Sequence, residues 1–224
     1  MTFSIAARCP DTKMVGVAIS SSSICVASRC AFVRAGVGAV LSQNVTDPTL
    51  GPAVLDALAG GADAESALQQ VTAGNDTMPW RQLLVQPLTG ESGVLSGREI
   101  LGTHAEAQGT DAIAAGNLLA DAKVPAAMIE GFEASQGHLA ERLMAALEAG
   151  LAAGGEAGPV HSAGIMVADQ EPWPVVDLRV DYAEEAPIAG LRDLWTRYEP
   201  QLADYVLRAH KPDAAPSYGV AGDP

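Results

Sequence analysis

Thr2 stands directly after Met1 and opens the apolar run Phe3-Ser4-Ile5-Ala6-Ala7. A residue this small in second place allows an aminopeptidase to remove the methionine. The chain would then begin with a threonine carrying both a hydroxyl and a free α-amine. That amine has an unperturbed pKa of roughly 7.7–8.0, so part of it is neutral near pH 7 and able to accept a proton. A threonine hydroxyl served by its own amine is one way to activate a weak nucleophile. The plain alternative is that position 2 only starts a β-strand. An attached Met1 would turn the amine into an amide and remove the base.

Other residues gain interest from where the elements put them. Thr2–Arg8 and Lys13–Ser20 read as two strands, and Cys9-Pro10-Asp11-Thr12 between them has turn chemistry. A hairpin of this kind brings the run Ser20-Ser21-Ser22-Ser23 beside Thr2. The run is then either a polar loop or part of a site. Residues 31–44 read as one apolar strand punctured by Arg34 and by Gly36 and Gly38. Arg34 either reaches out to solvent or supplies positive charge at a site. Gln43 and Asn44 end that strand with amides suited to an oxyanion or a substrate. Asp47-Pro48 predicts a helix start, with the helix running to about Ala59. A second helix is expected from Asp63 to about Val71.

Further along, Trp80–Pro87, Val94–Ser96 and Glu99–His104 read as strands of an antiparallel meander. Residues 109–117 are a small-residue region. Helices are expected at about Asn117–Ala120, Pro125–Ser135 and Leu139–Ala153, the last with Leu139, Leu143, Ala146, Leu147 and Leu151 on one face. Ser162–Ala168 and Val175–Asp181 make a final strand pair, and a helix runs from about Ile188 to Ala209. This order predicts an α+β class with two sheets and helical layers outside them, as one domain over residues 1–210. The Pro/Ala/Gly-rich tail at 211–224 is expected to be disordered.

Composition narrows the partners. The 224 residues carry 13 Lys+Arg against 27 Asp+Glu, a net charge of −14. That balance, with no basic cluster, argues against nucleic acid and against anionic membranes. No apolar run is long enough to cross a bilayer and no secretory leader is readable, so a cytoplasmic location is expected. Cys9, Cys25 and Cys30 read as reduced thiols, and the scattered histidines give no metal-ligand spacing. No metal and no cofactor is expected, since no nucleotide or flavin motif is present.

The chain also resembles a known family. The residues that carry the likeness are Thr2–Arg8, Arg34–Val40, Gln43, Pro48, Gly51-Pro52 and Arg81-Gln82. They continue with Gly116-Asn117-Leu118-Leu119, Leu139–Leu143, Ala153-Gly154-Gly155 and Asp177–Asp181. Together they are similar to a bacterial family known as domain of unknown function 1028, grouped with the N-terminal nucleophile (Ntn) hydrolases. The resemblance implies a four-layer αββα sandwich, two antiparallel sheets between helical layers. It also implies a mature N-terminal Thr2 that attacks an amide-type bond, with Arg34 as the cation that eases its deprotonation. The stretch 154–163 departs from the family's usual Gly-Gly-Asp…Gln-Ser-Ala, having Glu156 for the acid and His161 for the glutamine.

The reading is an Ntn-type amidohydrolase acting on a small-molecule or peptide amide. Thr2, Arg34 and Asn44 are its catalytic candidates. Ser21, Ser22, Gln43, Asn117 and His161 are its substrate contacts. Assembly as a homo-oligomer is expected, and the alternative function is a catalytically silent binding or regulatory module on the same fold.

Overall fold

The computed structural model describes residues 2–222; Met1 and the last two positions of the tail lie outside them. The first two strands, β1 (Thr2–Arg8) and β2 (Val15–Ser21), are buried along almost their whole length. Cys9 N donates to Met14 O at 2.9 Å to close the turn between them. A short helix, α1 (Ala27–Cys30), leads into β3 (Ala31–Arg34) and β4 (Gly38–Asn44). These two are the single strand expected over 31–44. Gly36 at φ 72° turns the chain, and Val37 N donates to Arg34 O at 3.1 Å.

Two helices follow, α2 (Leu50–Ala59) and α3 (Ala64–Thr72). The expected Asp63 cap of α3 is present, accepting from Ser66 N at 2.7 Å. Asp47 instead precedes α2 by three residues and accepts from the Thr49 amide and hydroxyl. Strands β5 (Arg81–Pro87), β6 (Gly93–Ser96), β7 (Ala105–Gln108) and β8 (Ala112–Asn117) come next. The expected strand at 99–104 is loop, and in place of the expected helix at 117–120 β8 ends at Asn117 and Leu119 bridges to Glu156. The small-residue region holds β8, which pairs directly with β1.

Helices α4 (Val124–Ala134) and α5 (Leu139–Ala152) precede the strands β9 (Ser162–Ala168) and β10 (Val176–Val180). The expected C-terminal helix is two, α6 (Pro187–Tyr198) and α7 (Leu202–His210). A 3-10 turn at Glu199–Gln201 separates them, because Pro200 has no N–H to continue the ladder. Beyond α7, Tyr218 lies against the Arg208 guanidinium at 4.0 Å.

Both sheets are antiparallel. One has six strands in the order β10-β9-β2-β1-β8-β7, the other four in the order β3-β4-β5-β6. Alternation along β1 sends Phe3, Ile5 and Ala7 to a core shared with α4, α5 and α6. It sends Ala6 the other way, into a second core with Ile19, Leu41 and Leu84 where the two sheets face each other. A third core joins α2 and α3 to the outer face of the smaller sheet. The model is thus α+β with two antiparallel sheets and helices packed on them, and β1 is central to the larger sheet.

Helix α5 holds β1 and β2 in place. Leu139, Leu143 and Leu147 are buried on its inner face, and Leu143 lies over Gly16, where an added Cβ would come within 2.8 Å of its Cδ1. Deleting a fully buried leucine removes its transfer energy and leaves a cavity. Leu143→Ala should therefore lower unfolding free energy by about 2–5 kcal/mol in urea denaturation. A loss below about 1 kcal/mol would mean that α5 does not clamp the sheet as described.

Candidate functional site

Thr2 is buried, 4% exposed, at the first position of β1. Its place in the alternation is that of Ser4 and Ala6, so its side chain belongs to the face between the sheets. Most of that space is aliphatic, but the end nearest Thr2 is polar. Ser4 Oγ donates to Gln43 Oε1 at 2.6 Å. Gln43 Nε2 donates to Gln82 Oε1 at 2.9 Å. Asn117 Nδ2 donates to the same Gln82 oxygen at 3.2 Å, and Gln82 Nε2 donates to Ser96 Oγ at 3.0 Å. Ser4, Gln43, Gln82 and Asn117 are each 0% exposed.

This relay links the two sheets and has a direction. Gln43 Nε2 also faces Ala115 O and Gln82 Nε2 faces Gly116 O, each at 3.5 Å. A carbonyl can only accept, so these ends are the nitrogens, Gln82 Oε1 is the oxygen, and the Asn117 atom facing it is the nitrogen. The other end of that amide, Asn117 Oδ1, is buried without a hydrogen-bond partner. An unsatisfied buried acceptor costs about 1–3 kcal/mol. Asn117 sits opposite Thr2 in the β1–β8 register. Residues so paired have Cβ atoms about 4.5–5.5 Å apart on the same face.

Ser21 and Ser22 lie where the hairpin predicts, at the end of β2 beside the start of β1, with Phe3 opposite Ser20. Ser21 is 1% exposed and shares the inter-sheet face with Ile19. Ser22 N donates to both carboxylate oxygens of Glu156, at 3.1 and 3.2 Å. Positive φ at Gly154 and Gly155, 122° and 57°, folds the chain back after α5 and turns Glu156 inward. Ala120 N donates to Gly155 O at 3.1 Å and Ala157 N to Leu118 O at 2.9 Å, stitching this loop to the end of β8. His161 belongs to the same corner. Its N–H donates to Ser21 O at 2.8 Å, and its ring stacks on Tyr182 at 5.5 Å.

Two catalytic candidates stand elsewhere. Arg34 ends β3 opposite Gly38, and five residues of β4 separate that point from Gln43, a distance of about 16 Å. The chain turns at Gly36 instead of continuing, which leaves the guanidinium on the surface, paired with Asp56 at 2.8 Å. Arg34 is therefore not the cation beside Thr2. Asn44, at φ 71°, faces away from Gln43. Its Nδ2 donates to Trp80 O at 2.8 Å, and its Oδ1 accepts from Leu101 N at 3.2 Å. It ties two loops together through both ends of its amide.

The structure adds Ser4, Gln82, Ser96 and Glu156 to the site. Glu156 is 5% exposed and forms part of a cleft of about 340 Å³ lined also by Leu151, Val160, Glu184 and Ile188. Burial pushes its carboxyl up to about 7, against the charge of the amino terminus, the Ser22 hydrogen bonds and the His161 charge. No group of three or more His, Cys, Asp or Glu side chains is placed to hold a metal among the described residues. No helix there is long and apolar enough to cross a membrane.

A folded-state pKa of about 7, raised from 4.5, makes the protonated Glu156 the form the fold prefers. Its contribution to stability is complete below pH 4.5 and is lost as pH rises through 7. Glu156→Gln imitates the neutral acid and keeps an acceptor for Ser22. It should match wild type near pH 4.5 and be the more stable protein at pH 8.5, by at most about 3 kcal/mol. Urea melts at the two pH values check this, and a variant less stable at pH 8.5 would contradict it.

The model of a family of unknown function, DUF1028, matches residues 2–191. The chain is similar to a Silicibacter pomeroyi protein of that family, known from a crystal structure. The TM-score is 0.84 at 32% identity, with 91% of this chain and 92% of that chain covered. The ancestral β-subunit Anbu of Yersinia bercovieri aligns over 91% of this chain and 96% of its own. Its TM-score of 0.38 at 10% identity is too slight a likeness to inform fold or activity. No curated protein matches the sequence. The chain belongs to DUF1028, a family of unknown function.

Proposed function

We propose that this protein is an Ntn-type amidohydrolase on a four-layer αββα sandwich, with Thr2 as its nucleophile once the Met1–Thr2 bond is cut. The observation that carries this reading is the buried polar cluster around Thr2 in an otherwise aliphatic inter-sheet space. Buried amides and hydroxyls without a structural need are costly, and such departures concentrate at functional sites.

In the reaction, Thr2 Oγ forms a bond to the carbonyl carbon of the amide while the Thr2 α-amine takes the hydroxyl proton, directly or through one water. The tetrahedral intermediate then breaks its C–N bond. The ammonium returns the proton to the departing nitrogen, leaving an ester on Thr2. A water repeats the sequence, with the amine again as base, and releases the carboxylic acid. Burial of Thr2 suits this chemistry because a dry site strengthens each electrostatic contact. Arg34 and Asn44 have no part in it. Ser21 and Ser22 border the place a substrate would occupy, and substrates are small-molecule or peptide amides.

A second reading, a catalytically silent binding module, draws on the cleft beside Glu156. That cleft has a size suited to a small ligand and does not depend on a free Thr2 amine.

Intact mass of the protein produced in a native-like host should show the loss of Met1. Assayed against a panel of amides, the processed protein should hydrolyse at least one. Thr2→Ala, which keeps position 2 small enough for the same processing, should lower that rate by at least about 10³-fold. Thr2→Ser should retain part of it. Retained Met1, or hydrolysis that survives Thr2→Ala, would contradict the proposal.

A further inference from the structure

The unpartnered oxygen of Asn117 has a specific donor waiting in the chain's own start. Arg8 N donates to Asp111 O at 2.9 Å, and these two stand one step beyond the Ala7–Ala112 pair of the β1–β8 register. Hydrogen-bonded and non-hydrogen-bonded pairs alternate along an antiparallel ladder. Counting back by twos, Ala6–Ile113, Ser4–Ala115 and Thr2–Asn117 are the hydrogen-bonded pairs. The Thr2 nitrogen therefore points at β8, toward the main-chain carbonyl of Asn117.

A peptide nitrogen at Thr2 has one hydrogen, and the ladder uses it. A free α-ammonium has three. One can keep the ladder bond, and rotation about the Cα–N bond brings another to the inter-sheet side, where the Asn117 side chain lies. Its Oδ1 is buried and unpartnered, and the relay, its direction set by the Ala115 and Gly116 carbonyls, makes it the end of the amide turned away from Gln82. From this we infer that Asn117 is the positioning residue for the Thr2 α-amine: its main-chain carbonyl and its Oδ1 grip the amine together, and cutting the Met1–Thr2 bond completes the site. Gln82 and Gln43 act through Asn117 by holding its amide in the one orientation that presents oxygen to Thr2. The inference rests on the reading of Thr2 as a released N-terminal residue.

The test follows the ionisation of the amine itself. Processed protein labelled with ¹³C,¹⁵N-threonine reports the Thr2 Cα shift against pH, for wild type, Asn117→Leu, Asn117→Asp and Gln82→Leu. An acceptor bonded to the ammonium stabilises the charged form. The Thr2 midpoint should therefore lie lower in Asn117→Leu by about one pH unit, and lower by less in Gln82→Leu. It should lie higher in Asn117→Asp, which is isosteric and keeps the inference testable where leucine prevents folding. Equal midpoints in wild type and the Asn117 variants would overturn the inference. So would Met1 still attached in the native-host protein, since no amine would then exist to be held.

The two claims fail separately. Thr2-dependent hydrolysis with unmoved midpoints would leave the hydrolase and remove the anchor. Shifted midpoints without hydrolysis would leave the anchor and remove the enzyme.

Discussion

Three hydrogen bonds between buried side chains determine what the space between the sheets can be. Ser4, Gln43, Gln82 and Asn117 are fully enclosed, and only their mutual pairing offsets the loss of water. Each link also sets the polarity of the next. The Ser4 hydroxyl donates to Gln43, Gln43 donates to Gln82, and the twice-occupied Gln82 oxygen turns the nitrogen of Asn117 toward itself. The oxygen left over at the end of this sequence stands on the residue opposite Thr2. An aliphatic replacement of the whole relay would pack as well or better, but it would leave nothing to orient a group at the start of β1.

The loop after α5 closes the same end of the inter-sheet space from the other side. Gly154 and Gly155 turn it, backbone hydrogen bonds to residues 118 and 120 fasten it, and Glu156 becomes the buried carboxyl next to Ser22. Here the chain differs from the pattern its family resemblance suggests, with the longer acid at 156 and His161 in place of glutamine. Both residues lie at the site, so the departure changes the surroundings of Thr2 and leaves the relay untouched.

Much of this corner was readable from sequence because local rules agree there. The Pro10-Asp11 turn and two alternating apolar runs fix a hairpin, and the hairpin alone puts Ser21 and Ser22 beside Thr2. Strand β8 was not readable. Its Ala, Gly and Asn residues have poor strand propensity, and the strand forms because it is paired on both sides, with β1 and with β7. Arg34 was misplaced for a related reason. An apolar run containing two glycines reads as one strand, and only the conformation of Gly36 divides it. Gln82 was hidden by the usual rule that polar positions of a strand face water. In β5, Gln82 and Leu84 share the inward face, so alternation is intact and the rule fails. Glu156 stood out only through the family resemblance, since a carboxyl in a glycine-rich loop is otherwise read as solvated.

The central claim is that the relay presents an acceptor to the released end of the chain. A crystal structure of the Met1-free protein at a resolution that distinguishes amide oxygen from nitrogen tests it most directly. The account predicts Asn117 Oδ1 within about 3.2 Å of the Thr2 nitrogen, with Nδ2 still on Gln82. An Asn117 amide turned the other way, or an Oδ1 with no Thr2 nitrogen in reach, would contradict it.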